Sequence, residues 1–154
     1  INNENYSWAI KYYHKSIDFL SKNLNDSEIL NVALTEYQLA ETYEKLGEVY
    51  HYIGHDEDRD TAYKTAILYR EKTCEHWIPN CKDEYKNANC LYELIKTLSN
   101  YGWAFDTETS AKMTIRARDL LSGILEKFPT DEKFSKKHKQ LVDYVNKYYS
   151  EYDN

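Results

Sequence analysis

Apolar side chains recur at intervals of three, four and seven residues along almost the whole chain, the period of an α-helix laid against a neighbour. Phe134, Leu141, Val145, Tyr148 and Tyr152 fall on one such stripe near the C-terminus, and Ala9, Tyr13, Ile17, Leu20 and Leu24 on another near the N-terminus. Between them Ala33, Tyr37, Ala40, Tyr43, Gly47 and Tyr50 line a third face, and Ala62, Ala66 and Tyr69 a fourth. Only four glycines and two prolines punctuate the 154 residues, where average usage would supply roughly 18. Sandwiches, barrels and Gly-rich nucleotide loops spend these residues on tight turns and close backbone approach, so the scarcity argues against all three. Long helices joined by short connections are left, and such connections make consecutive helices antiparallel neighbours.

The few breakers set the boundaries. Asn25-Asp26-Ser27 carries a helix-start signal, Gly54 a stop, and Asp56-Glu57-Asp58 suits the positive end of the helix that follows. Pro79 has no amide hydrogen and biases Ile78 away from helix, so a helix ends before it. Asp106 is placed to cap a fifth helix and Thr130, just after Pro129, a sixth. The expected helices are 6–24, 27–53, 57–77, 81–102, 107–128 and 131–152. These amount to an all-α, antiparallel array of about six helices in one domain. Because the chain starts at Ile1 rather than Met, it is expected to be a fragment of a longer one.

Charge and composition narrow the function classes. Twenty Lys and Arg stand against 26 Asp and Glu, a net charge of −6, with no long basic stripe to neutralise a phosphate backbone. Nucleic acid is not an expected partner. Neither is a membrane, since no apolar run approaches the roughly 18 residues a spanning helix needs. Three cysteines, Cys74, Cys81 and Cys90, suit reduced thiols and a cytoplasmic location better than a disulfide framework. His51 and His55 stand four apart on a helix but offer no third metal ligand, and Cys74, His76, Cys81 and Cys90 match no standard zinc spacing. There is no G-x-S-x-G, no Gly-rich phosphate loop and no Cys/His signature. The expectation is a non-enzymatic protein without metal or cofactor.

An internal echo connects the two halves: Tyr43, Leu46, Gly47, Tyr50 and Gly54 recur as Leu91, Leu94, Ile95, Leu98 and Gly102, each 48 residues later. The aromatic, Leu, Gly, aromatic spacing resembles the first helix of a tetratricopeptide repeat, and Ala117, Leu121, Ile124, Leu125 and Pro129 resemble its second. The period, however, is 48 residues rather than the roughly 34 of that repeat.

Longer helices in this order resemble the 14-3-3 family. Ser16-Ile17-Asp18-Phe19-Leu20-Ser21-Lys22-Asn23-Leu24 is similar to its V-L-x-L-L-x-x-x-L helix end, and Leu46-Gly47-Glu48-Val49-Tyr50-His51-Tyr52-Ile53 to its K-G-D-Y-x-R-Y-L motif. Ala62-Tyr63-Lys64-Thr65-Ala66 is similar to the A-Y-x-x-A that follows, and Pro79, Asn87 and Tyr92 keep the spacing of a later segment. The stretch from Ser110 to Leu125 resembles A-x-x-L-A-K-x-A-F-D-x-A-I in pattern. The resemblance spans residues 10–152 and implies a cytoplasmic signalling adaptor that binds a phosphoserine or phosphothreonine peptide in a concave groove. It implies His51 and Tyr52 at the phosphate, with His51 standing where the family has Arg, and Asn87 and Asn146 on the peptide backbone. Since His51 lacks the Arg fork, a weaker and pH-dependent grip is expected. The family's dimer-forming helices have no counterpart here, so a monomer or a different dimer is expected, with Tyr6, Trp8 and Tyr12 as the residues a dimer would use. Two other readings stand beside this one: a tetratricopeptide-like scaffold for unphosphorylated peptide, and a structural subunit of a larger assembly.

Of the remaining features, Tyr37, Tyr43, Tyr50 and Tyr69 follow the apolar period and are expected in the core. Tyr52 is offset from that stripe and so is open to a groove or to solvent. The run Lys133, Lys136, Lys137 and Lys139 reads as a solvated helix face, with attraction of an acidic peptide as its functional alternative.

Overall fold

The computed structural model describes residues 3–154, and among them every regular element is helical. Six α-helices run in order: α1 Asn3–Ser21, α2 Ile29–Tyr52, α3 Asp56–Trp77, α4 Glu84–Tyr101, α5 Thr107–Lys127 and α6 Glu132–Tyr148. All six lie where the apolar period places them, and the differences are at the ends. No helix among the described residues is long and apolar enough to cross a membrane. The chain divides into two compact units, residues 1–87 and 88–154.

Local chemistry explains the shifted ends. Thr130 does not cap α6; the Asp131 carboxylate does, accepting from the Phe134 amide at 3.0 Å. Asp106 caps α5 as expected, through the Thr109 amide and hydroxyl. Helix α2 starts at Ile29 rather than 27, because the Asp26 carboxylate instead accepts from the Glu28 amide in a tight local turn. Likewise α4 starts late, where Asp83 accepts from the amides of Tyr85 and Lys86. Charged or amide side chains near a helix start compete for the same orphan N–H groups, so composition alone leaves the winner ambiguous by a residue or two.

In the first unit α2 packs between α1 and α3, most extensively against α3. Its core joins Ile17 of α1, Leu39 and Leu46 of α2 and Ala62 of α3, with Tyr13, Tyr43, Tyr50 and Tyr69 packed half-buried around it. Each fully buried Leu contributes about 1.5–3 kcal/mol. The tyrosines expected in the core stand at its margin, because a phenol must keep its hydroxyl in reach of water or a partner.

Helices α2 and α3 approach closely at Gly47. A Cβ there would lie inside the Tyr63 ring, against its Cε1 and Cδ1. Tyr63 is 1% exposed, and burial with the nearby Glu48 carboxylate pushes its hydroxyl up to about 12. From this point the two helices run antiparallel. Toward one end Tyr43 stacks on Tyr69 with centroids 5.8 Å apart, the Arg70 guanidinium bonds Glu44 at 3.0 Å, and Glu36 meets His76 at 2.8 Å. Toward the other, His51 meets Arg59.

In the second unit α5 and α6 pack on one another. Phe134 is fully buried, its ring 5.3 Å from Tyr92 and 6.4 Å from Phe128. The Ser110 hydroxyl donates to the Gly102 carbonyl at 2.6 Å, holding the turn after α4 against α5. Arg118 of α5 grips the Asp153 carboxylate with both terminal nitrogens and so ties down the C-terminal turn.

Two outcomes follow from these contacts. Gly47→Ala should lower stability by about 1–3 kcal/mol, because the ring it strikes cannot retreat within a packed core. Gly123→Ala, at a helical position with open space around it, should instead raise stability by about 0.5–1 kcal/mol; paired urea titrations read both. The second outcome concerns acid. Hydrogen bonds from Thr109 hold the Asp106 carboxyl below its ordinary 3.8, and the Arg118 guanidinium does the same for Asp153. Lowered folded values mean that these carboxylates stabilise the protein above pH 3.8 and lose that effect as pH falls through the lower, folded values. An Asp106→Asn, Asp153→Asn double variant should show a shallower loss of melting temperature on the acid side.

Candidate functional site

The His51–Tyr52 corner is built by the way α2 stops. Gly54 has φ of +78°, a left-handed conformation that costs glycine no Cβ clash. The His55 amide then bonds the Tyr50 carbonyl at 2.9 Å and the Gly54 amide the His51 carbonyl at 3.1 Å. This paired closure uses up carbonyls that α2 would otherwise leave without partners, and the His55 ring stacks on Tyr50 at 6.2 Å. The chain turns back at once into α3, which brings Arg59 to the end of α2.

Tyr52 is 71% exposed, stacked on Tyr6 of α1 at 6.3 Å and standing 5.9 Å from the His51 ring. His51 is exposed, with its Nδ1 3.4 Å from Arg59 Nη1. A guanidinium has only donors, so in this contact Nδ1 accepts, and in the neutral ring the proton resides on Nε2. The buried Arg59 also donates from Nη1 to Asp56 at 3.0 Å and from Nε to Asp60 at 2.9 Å. A third carboxylate, Asp58, lies 3.6 Å from His55. The corner therefore joins two aromatic rings, an imidazole and a guanidinium, with the guanidinium already engaged by two carboxylates.

The other two expected residues are placed differently. Asn87 is half-buried, and its Nδ2 donates to the Cys81 carbonyl at 2.9 Å, bracing the segment between α3 and α4. Its Oδ1 is buried with no hydrogen-bond partner among the described residues. Asn146 is exposed on α6, in the second unit. Of the four expected site residues, then, the structure brings His51 and Tyr52 together.

Arg59 and Tyr6 are the members that sequence reasoning missed. The signal for Arg59 was present: a Gly stop at 54 followed by an immediate helix start returns the chain on itself, so a residue eight positions on meets His51. Tyr6 was marked only as a residue a dimer would use, and it instead stacks on Tyr52. Among the described residues no group of three His, Cys, Asp or Glu side chains is gathered to hold a metal, and the three cysteines are free thiols.

If Asn87 braces its loop, Asn87→Ala should lower stability by about 1 kcal/mol through loss of the bond to Cys81, a change that urea denaturation resolves. No family model matches this chain, and no curated protein or solved structure matches it.

Proposed function

We propose that the chain is a non-enzymatic adaptor that binds a peptide segment of a partner protein, with phosphoserine or phosphothreonine at the His51–Tyr52 corner. The observation that supports this most is the exposed Tyr52, stacked on Tyr6 and set beside the His51–Arg59 pair. Tyr offers rigid contact area with a polar tip, and in the neutral ring the His51 Nε2–H and the Tyr52 hydroxyl are both donors of the kind a phosphate accepts from. A phosphate drawing on Arg59 as well must compete with Asp56 and Asp60, which makes the grip a weak one. A cytoplasmic location belongs to this same reading.

The carboxylates around the corner favour a second reading. Asp56, Asp58 and Asp60 repel a phosphate and attract a basic peptide, as a scaffold for unphosphorylated segments would.

The test is fluorescence anisotropy with matched phosphorylated and unphosphorylated peptides. His51→Arg should strengthen phosphopeptide binding at pH 7, since a guanidinium adds a charge and a fork. Tyr52→Phe should weaken it by one hydrogen bond, about 0.5–1.5 kcal/mol. Equal binding of the two peptide forms by the native protein and by the His51→Arg variant rejects the phosphate reading in favour of the scaffold.

A further inference from the structure

We propose that the second unit carries a separate binding site for a phosphate ester joined to an aromatic ring, with the phosphate among lysines of α4 and α6 and the ring in the aromatic pocket beside them.

The phosphate half is a groove of about 370 Å³. Helix α6 contributes Lys133, Lys136 and Lys137, and α4 adds Lys96. On α4, Tyr92, Lys96 and Asn100 are four residues apart and share one face; on α6, Lys133, Lys137 and Gln140 share another. The two faces meet at the groove. Lys139, the last of the basic run, does not line it.

Charge accounting separates this groove from an ordinary solvated face. The ammonium groups of Lys96 and Lys133 lie over the Tyr92 ring at 5.5 and 4.9 Å. Lys96 has one carboxylate partner, Glu93 at 2.8 Å, and Lys133 donates to the Asn89 amide oxygen. Among the described residues neither Lys136 nor Lys137 forms an ion pair. Lys137 is half-buried, and burial together with the charge of Lys96 holds its ammonium below the ordinary lysine value. Lys136 and Lys137, set beside two further amines and without an ion-pair partner among the described residues, gain more from an anion than isolated surface lysines do. A phosphate monoester, carrying nearly two negative charges at neutral pH, fits the requirement.

The ring half adjoins it. Lys137 and Gln140 also line a second cavity of about 220 Å³, whose other walls include Trp103, Leu141, Tyr144 and Tyr149. Trp103 is 50% exposed, and Tyr144 packs 5.6 Å from Tyr149. Rings at these edges can stack on a flat guest. Ser99 and Thr114 supply hydroxyls at the same wall. Lys137 and Tyr144 are separated by an axial rise of about 10 Å, the reach of a phosphate linked to a ring through a few atoms. One face of α6 thus passes from basic to aromatic, and the shared residues make the two cavities one site. A phosphotyrosine side chain and a nucleoside monophosphate both present this chemistry. The proposal does not rest on the His51–Tyr52 corner, whose residues belong to the first unit.

Isothermal titration of the full chain at low ionic strength tests it, using free phosphotyrosine, AMP, tyrosine and inorganic phosphate. At least one of the two organic phosphates should bind about tenfold or more tightly than inorganic phosphate, and tyrosine should not bind measurably. The tighter of the two identifies the source. A Lys136→Gln, Lys137→Gln double variant should lose about tenfold or more of that affinity, while Lys139→Gln leaves it unchanged. Trp103→Ala should bring the organic phosphates down toward inorganic phosphate without altering inorganic phosphate itself. All these side chains are wholly or partly exposed, and circular dichroism with thermal melting verifies that each variant is folded. Equal affinity for organic and inorganic phosphate, or an affinity indifferent to the Lys136 and Lys137 changes, overturns the site. An affinity that survives Trp103→Ala intact overturns its aromatic half.

Discussion

The first unit depends on one close approach, the Tyr63 ring laid over the bare α-carbon of Gly47. A helical glycine is unfavourable by roughly 0.5–1 kcal/mol against alanine. Here it lets a large aromatic ring from α3 lie on the backbone of α2, where any side chain would hold the helices apart. That contact sets both spacing and register. Once it is made, Tyr43 faces Tyr69, Glu44 faces Arg70 and Glu36 faces His76 along the antiparallel seam. The polar pairs follow from the register rather than create it. A buried ion pair regains little beyond its own desolvation, but leaving one partner alone in that seam would be costly. They therefore act chiefly against misaligned pairings.

The same register delivers Arg59 to His51, and its surroundings decide what that corner can do. Two carboxylates from the first turns of α3 accompany Arg59 to the site, so its guanidinium is neutralised locally. Acidic residues suit the start of a helix for reasons of the backbone dipole alone. The residues that stabilise α3 thus also moderate the attraction of the corner for an anion. In the second unit the balance is reversed: Lys136 and Lys137 of α6 form no ion pair among the described residues. A chain with net charge −6 can in this way hold a basic site, because net charge says nothing about local arrangement.

Much of the fold was legible because helical period is a property of short stretches. Leu46 and Leu94, matched across the 48-residue echo, are both buried, as are Gly47 and Ile95. The site was less legible. Tyr52 was separable from the core stripe by its offset alone, and it is exposed. Asn87 was not separable: an amide can bond a bound peptide or its own chain, and here it bonds Cys81. The lysine run looked like one face of one helix. Lys96, from a helix about 40 residues earlier, makes it one side of a groove.

By itself the sequence determined the helical class, the six helices, the end of α3 ahead of Pro79 and the left-handed stop at Gly54, because each follows from backbone sterics or from a repeat a few residues long, although Ile78 itself keeps helical angles and opens a 3-10 turn. Tertiary structure alone decided which charges meet across helices. Whether Glu44 meets Arg70, whether His51 meets Arg59, and whether the lysines of α6 are joined by Lys96 of α4 depend on distances across helices. Those distances are set by how side chains pack, and at ångström range electrostatic energy changes too steeply for residue order to encode it.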